Sequence, residues 1–452
     1  MRGERTAVCR VLALTLGSAI LWGLAHLIAG RTRAGLALAT LYVMVLGTSM
    51  TAVTALRPAL FRLLVQPEWL GRLIIAALSV AVLWSAVVVR SYLLVRPAEM
   101  SVGARRLTRG VVALTCVTLI APLAVASRIA YVSRDVLTAL FASGPEQDGL
   151  WGGRTRLNIL LVGADAARNR PGARTDSLTV ASVDTRTGQT VLFGLPRNLE
   201  HVPLPPGPAR DMFPWGFPGG GTTTPGLLNE VYEWGADHPE TGPGLEAHDR
   251  GIALLKGTVS EILGIPVHYY AMVDMRGFRQ VIDAMGGVRV TIRQDIPYGL
   301  EGGVLLAGTR LLDGEQALWF GRSRTGSDDY VRMARQKCLL NDVAKQADAM
   351  TVLRGFERIA DAAKQYVRTD LPQQLLPALV ELSQKVRATA IRSLSFVPPL
   401  INTADPDWWL IKKRVAQALA GRPRPSRTAA PASSPSPAAI PATTPQPLDA
   451  IC

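Results

Sequence analysis

Two carboxylates stand where a sheet would bring them together. Asp165 closes an apolar run in Gly163-Ala164-Asp165, and Asp176 opens the next in Arg174-Thr175-Asp176-Ser177. Oxygen donors paired at strand ends suit a hard cation such as Mg2+, which takes few protein ligands and completes its shell with water and phosphate oxygens. An aspartate at a strand end is also a common turn former, so the pair gains meaning only from its company. A third apolar run ends in Pro196-Arg197-Asn198 at the same edge. Further on, Arg322-Ser323-Arg324 puts two guanidinium groups on one side of an extended segment. The helical stretch after it carries Asp329, Arg332 and Gln336 at i, i+3 and i+7, on one face, with Arg335 about 100° away around the helix. Arginine is suited to two-point contact with phosphate, although any one of these reads equally as part of a solvated, salt-bridged face. Two acids and several arginines gathered near strand ends suggest a site for a polyanion held with a divalent metal, most economically a pyrophosphate.

Other chemistries find little support. No nucleophilic triad is visible, and His26, His201, His238, His248 and His268 have no metal-ligand spacing. Neither a P-loop nor a GxGxxG pattern occurs. The histidines read as structural or surface groups.

The elements that must position these residues follow from apolar patterning. Residues 157–162 (LNILLV) and 178–183 (LTVASV) read as buried strands, and 190–195 (TVLFGL) as a third. The DTRTG turn makes the latter two a hairpin. Residues 202–225 are rich in Pro and Gly around Phe213, Trp215 and Phe217, a long irregular loop of the kind that serves as a lid or recognition loop. Helices are predicted at 227–234, 247–263, 276–285, 313–320 and 328–347, with more to about 420, and strands at 269–273 and 288–292. The fold class is α/β, a mixed central sheet flanked by helices, preceded by an all-helical transmembrane region.

That region comes from residues 11–30, 34–56, 73–89 and 110–127, four runs without a charged residue. Each is near the length that crosses about 30 Å of hydrocarbon. The chain is 48% hydrophobic and 19% charged, with a net charge of +14. Residues 1–135 hold 15 Arg against four acids, so the basic excess marks membrane topology rather than nucleic-acid binding. Arg90, Arg96, Arg105, Arg106 and Arg109 place the loop before the last span inside the cell, which puts everything from about residue 132 outside. Arginines on both sides of 11–30 suggest that this run is re-entrant or interfacial, with a fourth crossing as the alternative. The predicted organisation is a membrane region over 1–131 (first run 11–30, spans 34–56, 73–95 and 110–131), a linker over 132–156, a domain over 157–420 and a disordered tail of Pro, Ala, Ser and Thr over 421–452. Cys338 and Cys452 both fall outside the membrane, where a disulfide is permitted, and two separate thiols are the alternative.

From Asn158 to Gln336 the chain resembles the LytR–CpsA–Psr family of bacterial cell-wall phosphotransferases. The resemblance runs in order through NILLVGAD (158–165), RTDSLTVASVD (174–184), LPRN (195–198), LLNEVYEWG (227–235), LGIPVHYYAMVDMRGFRQVIDAMGGVRV (263–290), LDGEQALWFGRSR (312–324) and DDYVRMARQ (328–336). It implies an enzyme of the bacterial cell membrane, multi-pass with an extracellular catalytic domain. That enzyme moves a glycopolymer from a polyprenyl-pyrophosphate carrier in the membrane lipid onto a peptidoglycan hydroxyl, forming a phosphodiester. It further implies that Asp165 and Asp176 bind Mg2+, with Mn2+ as an alternative, that Arg197, Arg322, Arg324, Arg332 and Gln336 hold the pyrophosphate, and that Asp329 orients the cluster. The lipid would lie in an apolar groove between sheet and helices. The chain departs from the family pattern at Asn198, where an acid is usual, and in a displaced arginine for which Arg168 or Arg170 could serve. A non-catalytic lipid-pyrophosphate scaffold and a hydrolase of the same lipid-linked substrate are the competing functions.

Overall fold

A computed structural model describes residues 2–54, 63–97, 99–141, 151–165, 174–219, 226–299, 302–324, 328–346, 355–420, 445–448 and 452. The chain divides into two units, Met1–Thr138 and Ala139–Cys452.

In the first unit, helices α1 (Arg2–Ile20) and α2 (Leu24–Ile28) are followed by α3 (Thr32–Thr54), α4 (Pro67–Val95) and α5 (Val102–Leu140). Among the described residues, three helices are long and apolar enough to cross a membrane: Thr32–Ala52, Pro67–Val95 and Val102–Leu140. The run over 11–30 is not one helix. It breaks at Gly23, whose φ of +90° and contact with the Gly35 backbone, 2.3 Å from where a Cβ would lie, admit no side chain. Trp22, Tyr42 and Trp84 cluster beside the break, with ring centroids 5.6 to 6.5 Å apart. Helix α5 continues to Leu140, so the first residues of the stretch read as a linker are helical; composition marks where a helix becomes polar, not where it ends.

The second unit is built on a seven-stranded sheet. Its strands are β1 (Arg156–Asp165), β2 (Arg174–Asp184), β3 (Thr190–Leu195), β4 (Tyr269–Asp274), β9 (Val367–Thr369), β10 (Arg392–Ser395) and β11 (Gln446–Pro447). They lie in the order β11-β10-β3-β2-β1-β4-β9. The β1/β4 and β3/β10 pairs are parallel and the other four antiparallel, so the sheet is mixed, as predicted. Between β4 and β9, β5 (Val288–Ile292) pairs with β8 (Gly308–Leu312), and β6 (Ile296–Tyr298) with β7 (Gly303–Leu305).

Side-chain alternation sorts the sheet's two faces. On one, Leu160, Val162, Val180, Phe193 and Phe396 pack against Leu255, Val259 and Ile262 of α8 (Ala247–Leu263) and Ile411 and Val415 of α14 (Trp408–Leu419). Each such fully buried side chain contributes roughly 1.5–3 kcal/mol of transfer free energy. On the other face, Leu157 and Val183 meet Leu375 and Leu382, the latter from α13 (Leu376–Arg387). Helix α11 (Asp329–Gln346) crosses this second face near the sheet's end, its Lys337 reaching Ser393 and Ser395 of β10.

Two sequence expectations need correction. The helices expected up to about 420 are present at Phe356–Tyr366, α13 and α14, but β9 and β10, strands too short to announce themselves, lie between them. Disorder to the chain's end does not hold for residues 445–448: β11 pairs with β10, Leu448 is buried, and Cys452 is disulfide-bonded to Cys338 with a Cα separation of 5.3 Å. Residues 421–444 lie outside the described residues.

Candidate active site

The site forms where β1 ends and β2 begins. Asp165 is the last residue of β1 and pairs with Arg174. Gly163 pairs with Ser177 but Ala164 with Thr175, so Asp176 is the extra residue of a β-bulge inside β2 rather than at its start. A bulge leaves one residue outside the ladder and re-aims its side chain. Residue 163 is glycine where the strands run close, since a Cβ there would lie 3.1 Å from the Cβ of Ser177.

Arg197 follows β3 and donates from Nη1 to Asp176 Oδ1 at 2.5 Å, while its Nε lies 3.4 Å from Asp329 Oδ2. Burial opposes the charge on Arg197, but the carboxylates of Asp176 and Asp329 outweigh it and hold its pKa above the ordinary arginine value. Asp329 opens α11, and Asp328 before it accepts from the backbone N–H groups of Tyr330 and Val331. Arg332 grips Asp329 with two parallel bonds of 3.0 Å, from Nε to Oδ1 and from Nη2 to Oδ2, and sends Nη1 to the Asp176 carbonyl at 3.1 Å. It is only 4% exposed, so all three of its donor nitrogens are engaged inside the protein.

Arg322 ends α10 (Gly314–Arg322), a helix begun by a capping box of Asp313 and Gln316. The segment expected to be extended therefore begins as a helix terminus, with Ser323, at φ -57° and ψ 131°, as its C-cap. Ser323 is buried while Arg322 and Arg324 are exposed, so both arginines do face outward. Arg322 donates from Nη2 to Asp165 Oδ2 at 3.0 Å and stays 48% exposed. Arg324 makes no ion pair among the described residues. Gln336 Nε2 bonds the Gly321 carbonyl at 3.0 Å, and Arg335 Nη2 bonds the Ser323 carbonyl, tying α11 to the end of α10. Burial, with Arg332 adding to it, lowers the pKa of Arg335.

One oxygen of each sheet-end carboxylate, Asp165 Oδ1 and Asp176 Oδ2, has no bond among the described residues. No group of three His, Cys, Asp or Glu that could hold a metal occurs among those residues. Two open carboxylate oxygens fit a Mg2+ ion that takes the rest of its shell from phosphate and water. Arg168 and Arg170 lie outside the described residues.

Sequence reasoning missed three residues. Lys337, buried on α11, donates to Ser393 Oγ at 2.9 Å and to Ser395 Oγ, with no carboxylate partner among the described residues. Burial pushes its pKa down to about 8. It lines a narrow cavity with Asp176, Leu178, Leu195, Met333 and Leu340. Thr403, from a loop far along the chain, joins Asn198 Nδ2 at 3.3 Å to the Tyr330 hydroxyl at 3.2 Å. Nothing local marks Lys337 or Thr403; the third, Tyr330, stood inside a quoted motif. The histidines are structural where bonded: His248 bridges the hydroxyls of Tyr232 and Tyr270, and His268 Nδ1 accepts from the Asn158 N–H.

The profile of the LytR_cpsA_psr family matches residues 145–404. TagU of Bacillus cereus (strain AH820), named a polyisoprenyl-teichoic acid–peptidoglycan teichoic acid transferase, is 27% identical over 219 residues, 48% of this chain and 61% of that protein. TagU of Oceanobacillus iheyensis is 29% identical over 237 residues, 52% of this chain and 65% of that one. The chain thus spans less than two thirds of the length of these relatives. Among solved structures, B. subtilis TagV is similar with a TM-score of 0.41 and 24% identity over 60% of this chain and 99% of that one. A structure of TagT bound to LIIa-WTA gives 0.43 and 20% over 62% and 94%.

Proposed function

The chain belongs to the LytR_cpsA_psr family, and from that premise we propose that it transfers a wall glycopolymer from a polyprenyl-pyrophosphate carrier to a peptidoglycan hydroxyl, outside a membrane that its three apolar helices cross. The observation that carries this reading is the network of Arg197, Asp176, Asp329 and Arg332 at the sheet end, with Arg322 held on Asp165 beside it. Phosphoryl transfer asks for positioning and charge neutralisation more than for covalent help from the protein.

The acceptor hydroxyl oxygen forms a bond to the sugar-linked phosphorus as the bridging P–O bond breaks, polyprenyl phosphate leaves with the electron pair, and the hydroxyl proton passes to that departing phosphate, directly or through water. Arg322 and Arg324, exposed at the rim, meet the phosphate oxygens on which charge grows. Arg197 stands between two carboxylates, oriented before substrate arrives. Arg332 acts by holding Asp329 and the Asp176 backbone. Asp329 has both oxygens committed to Arg197 and Arg332, so it positions and does not take the hydroxyl proton. Mg2+, or Mn2+ in its place, would be held by Asp165 and Asp176 and would neutralise pyrophosphate charge. The polyprenyl chain would lie in an apolar groove between sheet and helices, as the family resemblance implies.

The test is transfer of a lipid-linked saccharide to peptidoglycan by the full-length protein in detergent, with and without chelator. Loss of transfer under chelation, restored by Mg2+, supports the reading, and product in full without any divalent ion sinks the metal assignment. One residue favours a second reading, a binder without turnover: Asn198 cannot accept a proton, and its Oδ1 is buried without a partner among the described residues. Tight binding of the lipid-linked saccharide with no product under any metal would decide for it.

A further inference from the structure

We propose that Trp215 is a stacking platform for a pyranose ring of a glycan chain reaching the pyrophosphate site. The inference rests on the transferase reading and adds a saccharide contact to it. Trp215 is 93% exposed, more than any other exposed large hydrophobic side chain in the described residues. Its surroundings are fixed. The Gly216 N–H donates to the Phe213 carbonyl at 3.2 Å, closing a turn with Pro214 and Trp215 at its tip, and Phe217 N donates to the Val202 carbonyl at 3.0 Å. Phe217 is fully buried, and Phe213, Phe217 and Trp234 pack edge to face with centroids 5.4 to 6.2 Å apart. At Gly216, φ is +110° and a Cβ would lie 2.4 Å from the His201 carbonyl oxygen. The loop therefore anchors aromatics on both sides of the turn and holds one indole in water. A ring held this way loses little conformational freedom when a ligand stacks on it.

The loop's root is joined to the site. Leu228 N donates to the Leu199 carbonyl at 2.9 Å and Asn229 N to the Arg197 carbonyl at 3.1 Å, closing the loop on the residue that bonds Asp176 and Asp329. His201, against which residue 216 sits, is four residues beyond Arg197, at most roughly 14 Å of extended chain.

Sugar is favoured over a lipid surface by charge. Interfacial segments pair their aromatics with lysine or arginine to meet anionic headgroups. Arg210 is the one basic residue between 202 and 219. Its Nε bonds the Leu204 carbonyl at 2.6 Å and its Nη2 lies 3.2 Å from Glu261. A neutral, flat, rigid ring suits the C–H face of a sugar, whether that sugar belongs to the peptidoglycan acceptor or to the donor polymer.

The experiment uses the full-length protein, as wild type, Trp215→Ala and Trp215→Phe, titrated separately with soluble peptidoglycan glycan strands and with a lipid-linked saccharide. Weaker strand binding in Trp215→Ala, about tenfold and largely recovered in Trp215→Phe, supports the proposal with the acceptor as source. The same loss for the lipid-linked saccharide supports it with the donor as source. Unchanged affinity for both overturns it. In nanodiscs of brominated lipid, quenching that disappears in Trp215→Phe would place the indole in the membrane and also overturn it. Wild type that binds strands through Trp215 but never transfers would defeat the transferase reading and leave this one standing.

Discussion

The candidate site has a buried half and an open half, and they use the same two residue types to different ends. Arg332 and Asp329 form a closed pair, the arginine 4% exposed and bonded at every donor nitrogen. Arg322 and Asp165 meet through one bond, with the arginine 48% exposed. A buried pair costs much to break, because the survivor is left as an uncompensated charge. An exposed pair is worth little to the fold and is free to exchange its partner for a phosphate. The difference teaches that an arginine in this site is architecture or ligand contact according to how many of its donors the protein has already engaged.

The comparison breaks first at Asp329. Asp329→Ala should destabilise the domain by about 3–5 kcal/mol by stranding Arg332 and abolish transfer; a thermal melt like wild type's would erase the distinction. Arg322→Ala should do the opposite, leaving stability within about 0.5 kcal/mol while cutting turnover roughly 100- to 1,000-fold. A matched loss of stability and rate would make it structural as well.

Lys337 sharpens the comparison, as a buried cation with hydroxyl partners only. Its folded pKa of about 8 lies below the ordinary 10.5, so the unfolded chain holds the proton more tightly. The penalty is full below pH 8 and fades as pH rises toward 10.5, so stability should climb across that window. Lys337→Met should therefore melt above wild type at pH 7, by a difference on the order of 3 kcal/mol, and the gap should close by pH 10. A pH-independent gap would mean that packing, not charge, separates the two proteins. The smallest effect is expected at Thr403→Val, which removes the hydroxyl between Asn198 and Tyr330 but keeps the shape: about 1 kcal/mol of stability and a several-fold fall in rate. No change in either would mean that this link is idle.

The sequence foretold most of what is local. The three leading strands stand out because their apolar runs are long and the DTRTG turn separates two of them. Asp329 and Arg332 are visible as partners because i and i+3 are neighbours on any helix. What escaped depends on distant chain. The bulge that frees Asp176 exists only in the register of β1 against β2. Lys337 looks like one more polar residue on a helix, and its burial needs Gly194 and the serines of β10, more than fifty residues away. By pattern alone Arg322 looks extended, because the helix that holds it ends within the motif itself.

The disulfide gives the site helix an unusual topology. Cys338 lies two residues beyond Gln336, and its bond to Cys452 closes a covalent ring across 114 residues. That ring contains β9, β10 and α14 as well as the Pro- and Ala-rich stretch from 421. A protease cut between 421 and 444 would open the ring without releasing a fragment, so the nicked protein should run as one band without reductant and as two with it. Two bands without reductant would show that the ring had not closed. While the bond holds, a cut there leaves β11 tethered to the domain beside β10.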